Sequence, residues 1–507
     1  GGDRKGVRQS LDQLRSLGVN AIYLNPIFWS KSNHGYDTAD YKQVNPHLGT
    51  LKDFTLLVEQ AHALGMHVIL DGVFNHMSSD SPNFDRYHHY ASVGACESTS
   101  SPFRSWFTFT TGNVPCGSGD YVGWFNFDSI PVLTKSNPAV LDYFVTGQDS
   151  VSRYWLQQGA DGWRLDVMGD SSFPAGYWEK FREVVKQTDP DALIVGELWP
   201  KDSTTLSFLD GTRADSTMNY RDRDAILGFL TTHTFDGKGL GDSGRVLAPS
   251  EFLARLASQQ EDYAKPAYFD LMNLVDSHDT TRALWTLSPG LDNQAAAKAA
   301  GIADGKRRLR LASTVQFTLP GMPTVYYGDE VGVTGGDDPD NRRTYPWPQE
   351  GGKPDIALQS HYAALGALRA ATPVLRDGAF VPLASDDASG VAAYGRKNGI
   401  QAAVVAIDKG DTATTATIPT AGFVPDGTSF RALYAVGNAT GGTFTTANGT
   451  LTVPLAALSA SVLVTGQVDL TPPTAPAITL AGDGNGTASL DWSPVDGAAS
   501  YEVLRSP

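Results

Sequence analysis

Helical and strand patterns alternate over the first 80 residues of the chain. Apolar residues recur every three or four positions over 7–17, which predicts one amphipathic helix. The apolar runs 19–28 and 67–74 predict two strands that are buried on both faces. Between them, Thr50 and Asp53 have the spacing of a capping box at the start of a second helix. Strand, helix and strand in this order predict a parallel sheet with crossover helices.

The same alternation resumes after residue 160, where further apolar runs are separated by helical patterns. These runs predict strands over 162–168, 192–198, 216–220, 269–275 and 321–327. Together with the two earlier strands they give one strand fewer than a (β/α)₈ TIM barrel contains. Because the first predicted element is a helix, the missing first strand is expected to precede Gly1.

The remaining segments predict a multidomain α/β protein. Residues 77–130 are too many for one loop between a strand and a helix, so they are expected to form an inserted subdomain. After the barrel, short Val-, Ala- and Thr-rich runs broken by Gly, Asp and Asn predict an antiparallel β-sandwich. The predicted domains are the barrel over 1–377, the sandwich over 378–467, a proline-rich linker over 468–476 and a truncated sandwich-like module over 477–507.

Composition narrows the possible partners. The chain has 507 residues, of which 41% are hydrophobic and 19% charged, so it can bury substantial cores. Its formal net charge is −16 and it has no block of Lys and Arg, which argues against binding to nucleic acid or anionic membranes. The sequence has no run of 18 apolar residues, so no membrane span is predicted.

Cys96 and Cys116 both fall in the predicted insert and are the only cysteines of the chain. Two free thiols would be ordinary in a cytosolic enzyme, whereas one disulfide would suit a secreted protein. The second interpretation is favoured. Since Gly1 stands where an initiator Met would be, we expect a fragment or a mature product.

Charged and polar residues follow the apolar strands at the ends where a parallel barrel builds its active site. One charged residue at such a position can be a buried structural partner. Three carboxylates from three different strands favour a shared catalytic site instead. The residues at these ends are Asn25, Asp71, Asn75, His76, Arg164, Asp166, Glu197, Asp276, His278 and Asp279.

Four of these strand ends lie in segments that resemble the signature regions of the α-amylase superfamily, glycoside hydrolase family 13, in the family's order. The segments are Asp71-Gly-Val-Phe-Asn-His76, Gly162-Trp-Arg-Leu-Asp166, Gly196-Glu-Leu-Trp199 and Val275-Asp-Ser-His-Asp279. Three shorter segments are similar to other family motifs, namely His34-Gly-Tyr-Asp37, Ile130-Pro-Val-Leu133 and Asp338-Pro-Asp-Asn-Arg342. The resemblance extends to about residue 467, and the C-terminal tail resembles the beginning of a fibronectin type III module.

Cleavage of a glycosidic bond with retention of configuration needs a nucleophilic carboxylate and an acid that lie ~5–5.5 Å apart. Neighbouring strands can place Asp166 and Glu197 at about that separation. Arg164 lies two positions before Asp166, on the same strand face, and is expected to keep that carboxylate ionised. Glu197 is followed by Leu198 and Trp199, an apolar setting that suits a proton donor.

The resemblance implies roles for the other residues of these motifs. Asp279 is expected to complete the catalytic set by binding the 2- and 3-hydroxyls of the distorted sugar. His76 and His278 would donate hydrogen bonds in the same subsite, and Tyr36 would stack on the sugar ring. The remaining expected substrate-binding residues are Asp37, Arg164, Asp338 and Arg342.

Two short segments bear on substrate and cofactor. Many α-amylases carry Lys-His where this chain has Gly169-Asp170, a pair that looks more like neopullulanases, cyclomaltodextrinases and amylopullulanases. Gly1-Gly-Asp3 resembles half of a calcium loop of neopullulanase-like enzymes, or is simply a good lead into a helix. If calcium binds there, Gly1 and Asp3 are expected ligands and the other half of the loop would precede Gly1, because a hard cation needs more oxygens than these two residues supply.

These patterns predict a secreted, bacterial-type, endo-acting α-glucan hydrolase that cleaves starch, pullulan or maltooligosaccharides with retention. One alternative is a transglycosylase on the same site, which passes the bound sugar to another sugar instead of water. A second alternative is a non-catalytic carbohydrate-binding relative, against which the presence of Asp166, Glu197 and Asp279 argues. The oligomeric state and the preference between α-1,4 and α-1,6 bonds stay open.

Overall fold

A computed structural model of the chain describes residues 3–199, 203–289, 299–439, 441–470, 476–482 and 488–495. The chain divides into two compact units. The first contains residues 1–221, 263–273 and 342–345, and the second contains 222–262, 274–341 and 346–507. In the described part of the chain, every helix is too short or too polar to cross a membrane.

A parallel sheet of seven strands provides the frame of the fold, as the sequence predicts. The strands follow one another in the sheet in chain order, and crossover helices connect them, which is the arrangement of a (β/α)₈ barrel. Each strand is shorter than its apolar run, because a parallel ladder extends only as far as its neighbours do. The seven strands are Ala21–Leu24, His67–Gly72, Gly162–Leu165, Leu193–Gly196, Ser216–Asn219, Met272–Asn273 and Met322–Pro323.

Most of the predicted helices form. The helix Leu51–Ala63 begins with the expected capping box, in which Thr50 and Asp53 cap each other's backbone N–H groups. Asn137 caps the helix Pro138–Leu141 with Pro138 at its first position. The other α-helices within the described residues are Arg4–Gln9, Leu11–Ser16, Val151–Gln157, Tyr177–Thr188, Ser203–Phe208, Tyr220–Leu230, Pro249–Asp262, Lys265–Phe269, Ala283–Thr286, Ala299–Thr318, Ile356–Ala371 and Pro373–Asp377.

Two expectations about element bounds are wrong. The single helix expected over 7–17 is divided at Ser10, whose hydroxyl donates to the carbonyl of Gly6 (3.0 Å) and whose ψ is 1°. Such a bond from a serine to the preceding turn competes with continuation of the helix. The strand expected from residue 269 begins instead at Met272, since Phe269 ends a short helix that has Pro266 in its first turn.

The stretch 77–130 contains two short 3₁₀ turns, at Arg104–Trp106 and Trp124–Asn126, an isolated antiparallel bridge between Phe109 and Tyr121, and a small aromatic core. The ring of Phe84 lies 4.8 Å from that of Phe107 and 4.6 Å from that of Tyr121. A disulfide joins Cys96 to Cys116 with the Cα atoms 4.9 Å apart, which confirms the predicted pairing. The domain bounds themselves stay a prediction.

The C-terminal part of the second unit is antiparallel, as predicted. A sheet of six strands faces a pair of strands, and their apolar side chains form one buried cluster. The six strands are, in sheet order, Ala379–Asp386, Val391–Lys397, Ala402–Asp408, Ser459–Thr465, Ser429–Val436 and Thr443–Thr445, and the pair is Thr414–Pro419 with Thr450–Leu455.

Among the described residues of the tail, Ile478–Gly482 pairs with Ala488–Trp492 as an antiparallel hairpin. Ile478 and Leu480 are exposed. Residues 471–475 of the predicted linker and 499–503 of the predicted module lie outside the described residues. The resemblance of the tail to a fibronectin type III module stays a prediction.

Candidate active site

Arg164 lies at the centre of the candidate site in the first unit and contacts three carboxylates. Its Nη1 donates to Asp71 Oδ1 (3.0 Å) and to Asp166 Oδ1 (3.0 Å), and its Nη2 lies 3.1 Å from Glu197 Oε1. All four side chains are buried. Burial lowers the pKa of the Arg164 guanidinium, but the charges of Asp71 and Glu197 outweigh it and raise that pKa above its usual range.

The strand register explains why these residues meet. Asp71 and Arg164 are paired across the parallel ladder. The backbone N–H of Asp166 continues the ladder to Gly72, and that of Glu197 continues it to Leu165. The two carboxylates therefore begin at the same level, one residue beyond the carboxyl ends of neighbouring strands.

The Glu197 carboxylate is fixed by two donors besides Arg164. Its Oε2 accepts the backbone N–H of Val167 (2.8 Å), and its Oε1 accepts the indole N–H of Trp199 (2.9 Å). Val167 has a φ of 42°, which is rare for a β-branched residue and marks a strained turn directly after Asp166. Trp199 stacks on Tyr220 with ring centroids 3.6 Å apart, so the group that orients Glu197 is itself held in place.

Two tyrosines orient the Asp71 carboxylate, and sequence reasoning missed one of them. Tyr23 donates its hydroxyl to Asp71 Oδ2 (2.5 Å), and Tyr36 donates to the same oxygen (2.7 Å). Burial raises the pKa of Tyr23 well above its usual value, so the hydroxyl keeps its proton. Tyr23 lies two positions before Asn25, and residues two positions apart on a strand point to the same face. Strand alternation from Asn25 could therefore have identified Tyr23.

His76 lies next to Tyr36, as the motifs imply. Its Nε2 is 3.1 Å from the carbonyl oxygen of Tyr36, and its ring stacks on that of Trp124 with centroids 5.2 Å apart. Burial lowers the pKa of His76 to about 4, so the ring is neutral at neutral pH and its Nε2–H donates to the carbonyl. Trp124 belongs to the stretch predicted as the insert, and nothing in the sequence indicated that it reaches this histidine.

Lys135 joins two loops that follow strands of the parallel sheet. Its ammonium donates to Asn75 Oδ1 (2.5 Å) and to the hydroxyl of Ser172 (2.6 Å), and the backbone N–H of Ser172 donates to Asp170 Oδ1 (2.9 Å). Burial lowers the pKa of Lys135 to about 8. Burial would raise the pKa of Asp170, but the hydrogen bonds from Ser172 and the charge of Lys135 lower it. The position of Lys135 two residues after the Ile130-Pro-Val-Leu133 motif was the only signal for it.

The second unit carries His278 and Asp279. His278 is buried, and its Nε2 lies 3.2 Å from Asp279 Oδ2. The side chain of Asp279 is 30% exposed, so it can receive a ligand. Asn341 holds the segment by donating to the carbonyls of His278 (2.8 Å) and Thr280 (2.9 Å).

The other predicted substrate residues lie on loops. Asp37, in the first unit, is half-buried and accepts a hydrogen bond from the hydroxyl of Ser32. Arg342 is half-buried in the first unit, whereas Asp338 is exposed in the second. The structure thus brings Tyr36, His76, Arg164, Asp166 and Glu197 together in the first unit, and His278 with Asp279 in the second.

The residues at the N-terminus do not by themselves fit a calcium ion. Asp3 accepts the backbone N–H of Gly6 (2.7 Å) and caps the helix Arg4–Gln9, while Gly1 lies outside the described residues. Among the residues that the structure describes, no group of three or more His, Cys, Asp or Glu side chains is arranged to hold a metal. Ca²⁺ takes 6–8 oxygen ligands, so the calcium site stays a prediction.

Residues 1–366 match the family model described as "Alpha amylase, catalytic domain". The chain belongs to the alpha-amylase family. Its relatives in this family include an amylopullulanase of Thermoanaerobacterium saccharolyticum, 37% identical over 540 residues, and neopullulanase 2 of Thermoactinomyces vulgaris, 37% identical over 354 residues. The first alignment covers all of this chain and 40% of the relative, and the second covers 69% and 53%.

Solved structures of alpha-amylase-family enzymes have the same fold. The debranching enzyme from Nostoc punctiforme matches with a TM-score of 0.76 and 30% identity, over 91% of this chain and 89% of that one. The cyclic alpha-maltosyl-(1→6)-maltose hydrolase from Arthrobacter globiformis matches with a TM-score of 0.72 and 30% identity, over 92% and 90%. By contrast, the chain spans between 28% and 40% of the length of three amylopullulanases that it matches.

Proposed function

We propose that this member of the alpha-amylase family hydrolyses α-glucans with retention of configuration. The observation that carries the proposal is that one buried guanidinium, that of Arg164, contacts both Asp166 and Glu197. Two carboxylates on adjacent strand ends that share one cation lie close enough to act on opposite faces of one anomeric carbon. Family membership supports the reaction type.

In the proposed reaction, Asp166 attacks the anomeric carbon while the bond from that carbon to the leaving oxygen breaks. Glu197 gives its proton to the leaving oxygen, so one product departs and a glycosyl ester of Asp166 remains. Water then attacks the same carbon, its proton passes to Glu197, and the ester bond to Asp166 breaks. Asp279 would bind the sugar hydroxyls, and Arg164 would hold Asp166 ionised before each attack.

We propose starch, pullulan and maltooligosaccharides as the substrates. Support comes from relatives named amylopullulanase and neopullulanase, and from a structural neighbour named as a debranching enzyme. Gly169 and Asp170 stand where many α-amylases have a Lys-His pair, which would add a cation and a ring. The Asp170 carboxylate accepts the backbone N–H of Ser172. Less bulk beside the nucleophile would admit a glucan that bends at an α-1,6 branch.

The test is to follow the anomeric configuration of the first products from a maltooligosaccharide by proton NMR. Retention predicts that the α-anomer appears before mutarotation sets in. First products in the β-configuration would exclude the double displacement. Products longer than the substrate would instead identify the transglycosylase alternative, which uses the same ester of Asp166 but a sugar as acceptor.

We further propose that the protein works outside the cell, since the Cys96–Cys116 disulfide suits an oxidising compartment. The calcium site at Gly1 and Asp3 is kept as part of the proposal. Thermal unfolding of the chain in EDTA and in millimolar CaCl₂ tests whether calcium binds. A midpoint that is the same in both solutions would remove calcium from the proposal.

A further inference from the structure

Asp276 and Asp329 are two fully buried carboxyl groups in the second unit that face each other. One oxygen of each has a donor: Asp276 Oδ2 accepts the backbone N–H of Ala283 (2.7 Å), and Asp329 Oδ1 accepts Nη1 of Arg282 (3.1 Å). The other oxygens, Asp276 Oδ1 and Asp329 Oδ2, receive a hydrogen bond from no donor group among the described residues. The two side chains nevertheless lie within hydrogen-bond reach of each other.

Two carboxylate oxygens can bond to each other only if a proton lies between them. The surroundings favour such a proton. Arg282 is the cation that contacts Asp329, and the side chains of Glu330, Tyr326, Tyr327 and Tyr362 also face this cluster. Burial and the charge of Asp276 raise the pKa of Asp329 well above its usual value despite Arg282, so Asp329 is the member that keeps its proton.

We infer that Asp276 and Asp329 share one proton, donated by Asp329 Oδ2 to Asp276 Oδ1, and that this bond positions the segment that carries His278 and Asp279. The inference deepens the proposed function, because the role of the segment rests on Asp279 binding substrate. The proton itself does not depend on that role.

The connections around the pair show how it acts on the segment. Asp276 begins the segment, and its second oxygen holds the N–H of Ala283, so one carboxyl spans the loop between these residues. Arg282 donates to the carbonyl of Asn341 (2.8 Å), and Asn341 in turn holds the carbonyls of His278 and Thr280. A displaced Asp276 would release one end of the loop and, through Arg282, loosen the other.

A double-mutant cycle tests the proton. In D329N the amide keeps an acceptor for Arg282 and donates to Asp276, and in D276N it keeps an acceptor for Ala283 and donates to Asp329. Each single variant therefore preserves one donor and one acceptor, and we expect each Tm within about 2 °C of the wild type at pH 7. In D276N/D329N two amide N–H groups face each other, so its Tm should lie at least about 3 °C below the sum of the single effects.

Asp408 provides a matched control. It is a buried aspartate on the strand Ala402–Asp408, and its Oδ1 accepts the backbone N–H of Gly410 (2.7 Å). D408N combined with D329N should give additive Tm changes. If the pair held two ionised carboxylates, each single amide would relieve their repulsion and raise the Tm well above that of the wild type. That result would overturn the inference.

The pH dependence gives a second, independent measurement. A carboxyl whose pKa is raised in the folded protein contributes stability that is complete below its unfolded pKa and is lost as the pH rises through the folded pKa. D329N has no such group, so its Tm minus that of the wild type should grow between pH 5 and pH 9. The wild-type kcat/KM on starch should also fall at a lower alkaline pH than that of D329N. A Tm difference that is constant with pH would contradict the shared proton, even if the chain proved inactive on glucans.

Discussion

The Arg164 guanidinium is the cation that three carboxyl groups of the candidate site share. It is buried and contacts Asp71, Asp166 and Glu197 at 3.0–3.1 Å. A buried carboxylate without such a partner would take up a proton or destabilise the fold. The fold therefore holds the Asp166 carboxylate, which we propose as the nucleophile, in contact with a cation before substrate binds.

Asp166→Asn keeps the shape of this residue and removes the attacking charge. We expect kcat on starch to fall by at least roughly 1,000-fold while the Tm stays close to that of the wild type. Initial rates and thermal unfolding are the measurements. Asp191→Asn, the same change at an exposed position, is the control and should leave kcat unchanged. Wild-type turnover in D166N would refute the mechanism.

His76 should make the fold sensitive to acid. Its pKa is about 4 in the folded protein and ~6.5 when unfolded, so protons bind the unfolded chain more strongly. Stability is therefore lost as the pH falls from about 6.5 towards 4, by about 2 kcal/mol at pH 4.5. His76→Gln has no such titration, so the pH 7 to pH 4.5 loss in its free energy of unfolding should be smaller than the wild-type loss by that amount. An identical loss in both proteins would show that His76 is not buried in its neutral form.

At the scale of elements, the parallel sheet is determined by local patterns and the stretch 77–130, predicted as an insert, is not. The strands of the parallel sheet follow from apolar runs because burial on both faces requires such runs. The stretch 77–130 has two short 3₁₀ turns, an isolated antiparallel bridge and a small aromatic core, and the disulfide joins two positions 20 residues apart within it. Trp124 nevertheless depends on the conformation of this stretch for its place on His76.

Replacing Cys96 and Cys116 with serine should destabilise the insert. Closing a loop of about 20 residues contributes ~3 kcal/mol in the chain-entropy model. Denaturant unfolding followed by tryptophan fluorescence measures the loss, because Trp106 and Trp124 lie in this stretch. A reductant should reproduce the loss in the wild type and leave the serine variant unchanged. Equal stability of the serine variant and of the oxidised wild type would mean that contacts other than the disulfide hold this stretch.

Element bounds deviate from the sequence where one side chain or one ring overrides periodicity. The hydroxyl of Ser10 takes the Gly6 carbonyl and divides a helix that apolar spacing alone would continue. Pro266 initiates a helix where an apolar run indicates a strand. Both residues are visible in the sequence, but their effect depends on a backbone geometry that periodicity does not describe.

For the molecule as a whole, the open question is the choice of glucan. We predict that the complete enzyme degrades pullulan as well as starch, because Gly169 and Asp170 are smaller than the Lys-His pair that many α-amylases carry after the nucleophile. The variant G169K/D170H restores the cation and the ring that many α-amylases carry. It should lower the ratio of pullulan to starch activity about tenfold, which corresponds to ~1.4 kcal/mol of transition-state stabilisation. Reducing-sugar assays on the two polymers measure the ratio.

Asp170→Asn serves as the control, because it removes the charge without adding bulk. Its ratio should stay within about twofold of the wild type, since steric room is the proposed cause. Starch hydrolysis by the wild type with pullulan left intact would contradict the prediction. So would a ratio that does not change in G169K/D170H.

The sequence by itself determined the parallel sheet of seven strands, the antiparallel C-terminal sheets and the positions of Asp166 and Glu197 at strand ends, and it favoured the Cys96–Cys116 disulfide over two free thiols. These features follow from local rules, since apolar runs, caps and strand ends are properties of neighbouring residues. The roles of Asp166, Glu197 and Asp279 remain proposals that rest on the motifs and on family membership.

Only the tertiary structure decided which distant residues meet. Tyr23 reaches Asp71, Trp124 stacks on His76, Lys135 bonds to Asn75, and Asp276 faces Asp329 across long stretches of chain. Strand register and the path of the stretch 77–130 set these contacts, and local periodicity determines neither of them. Protonation states followed in the same way, because burial and neighbouring charges shift a pKa and both exist only once the chain has folded.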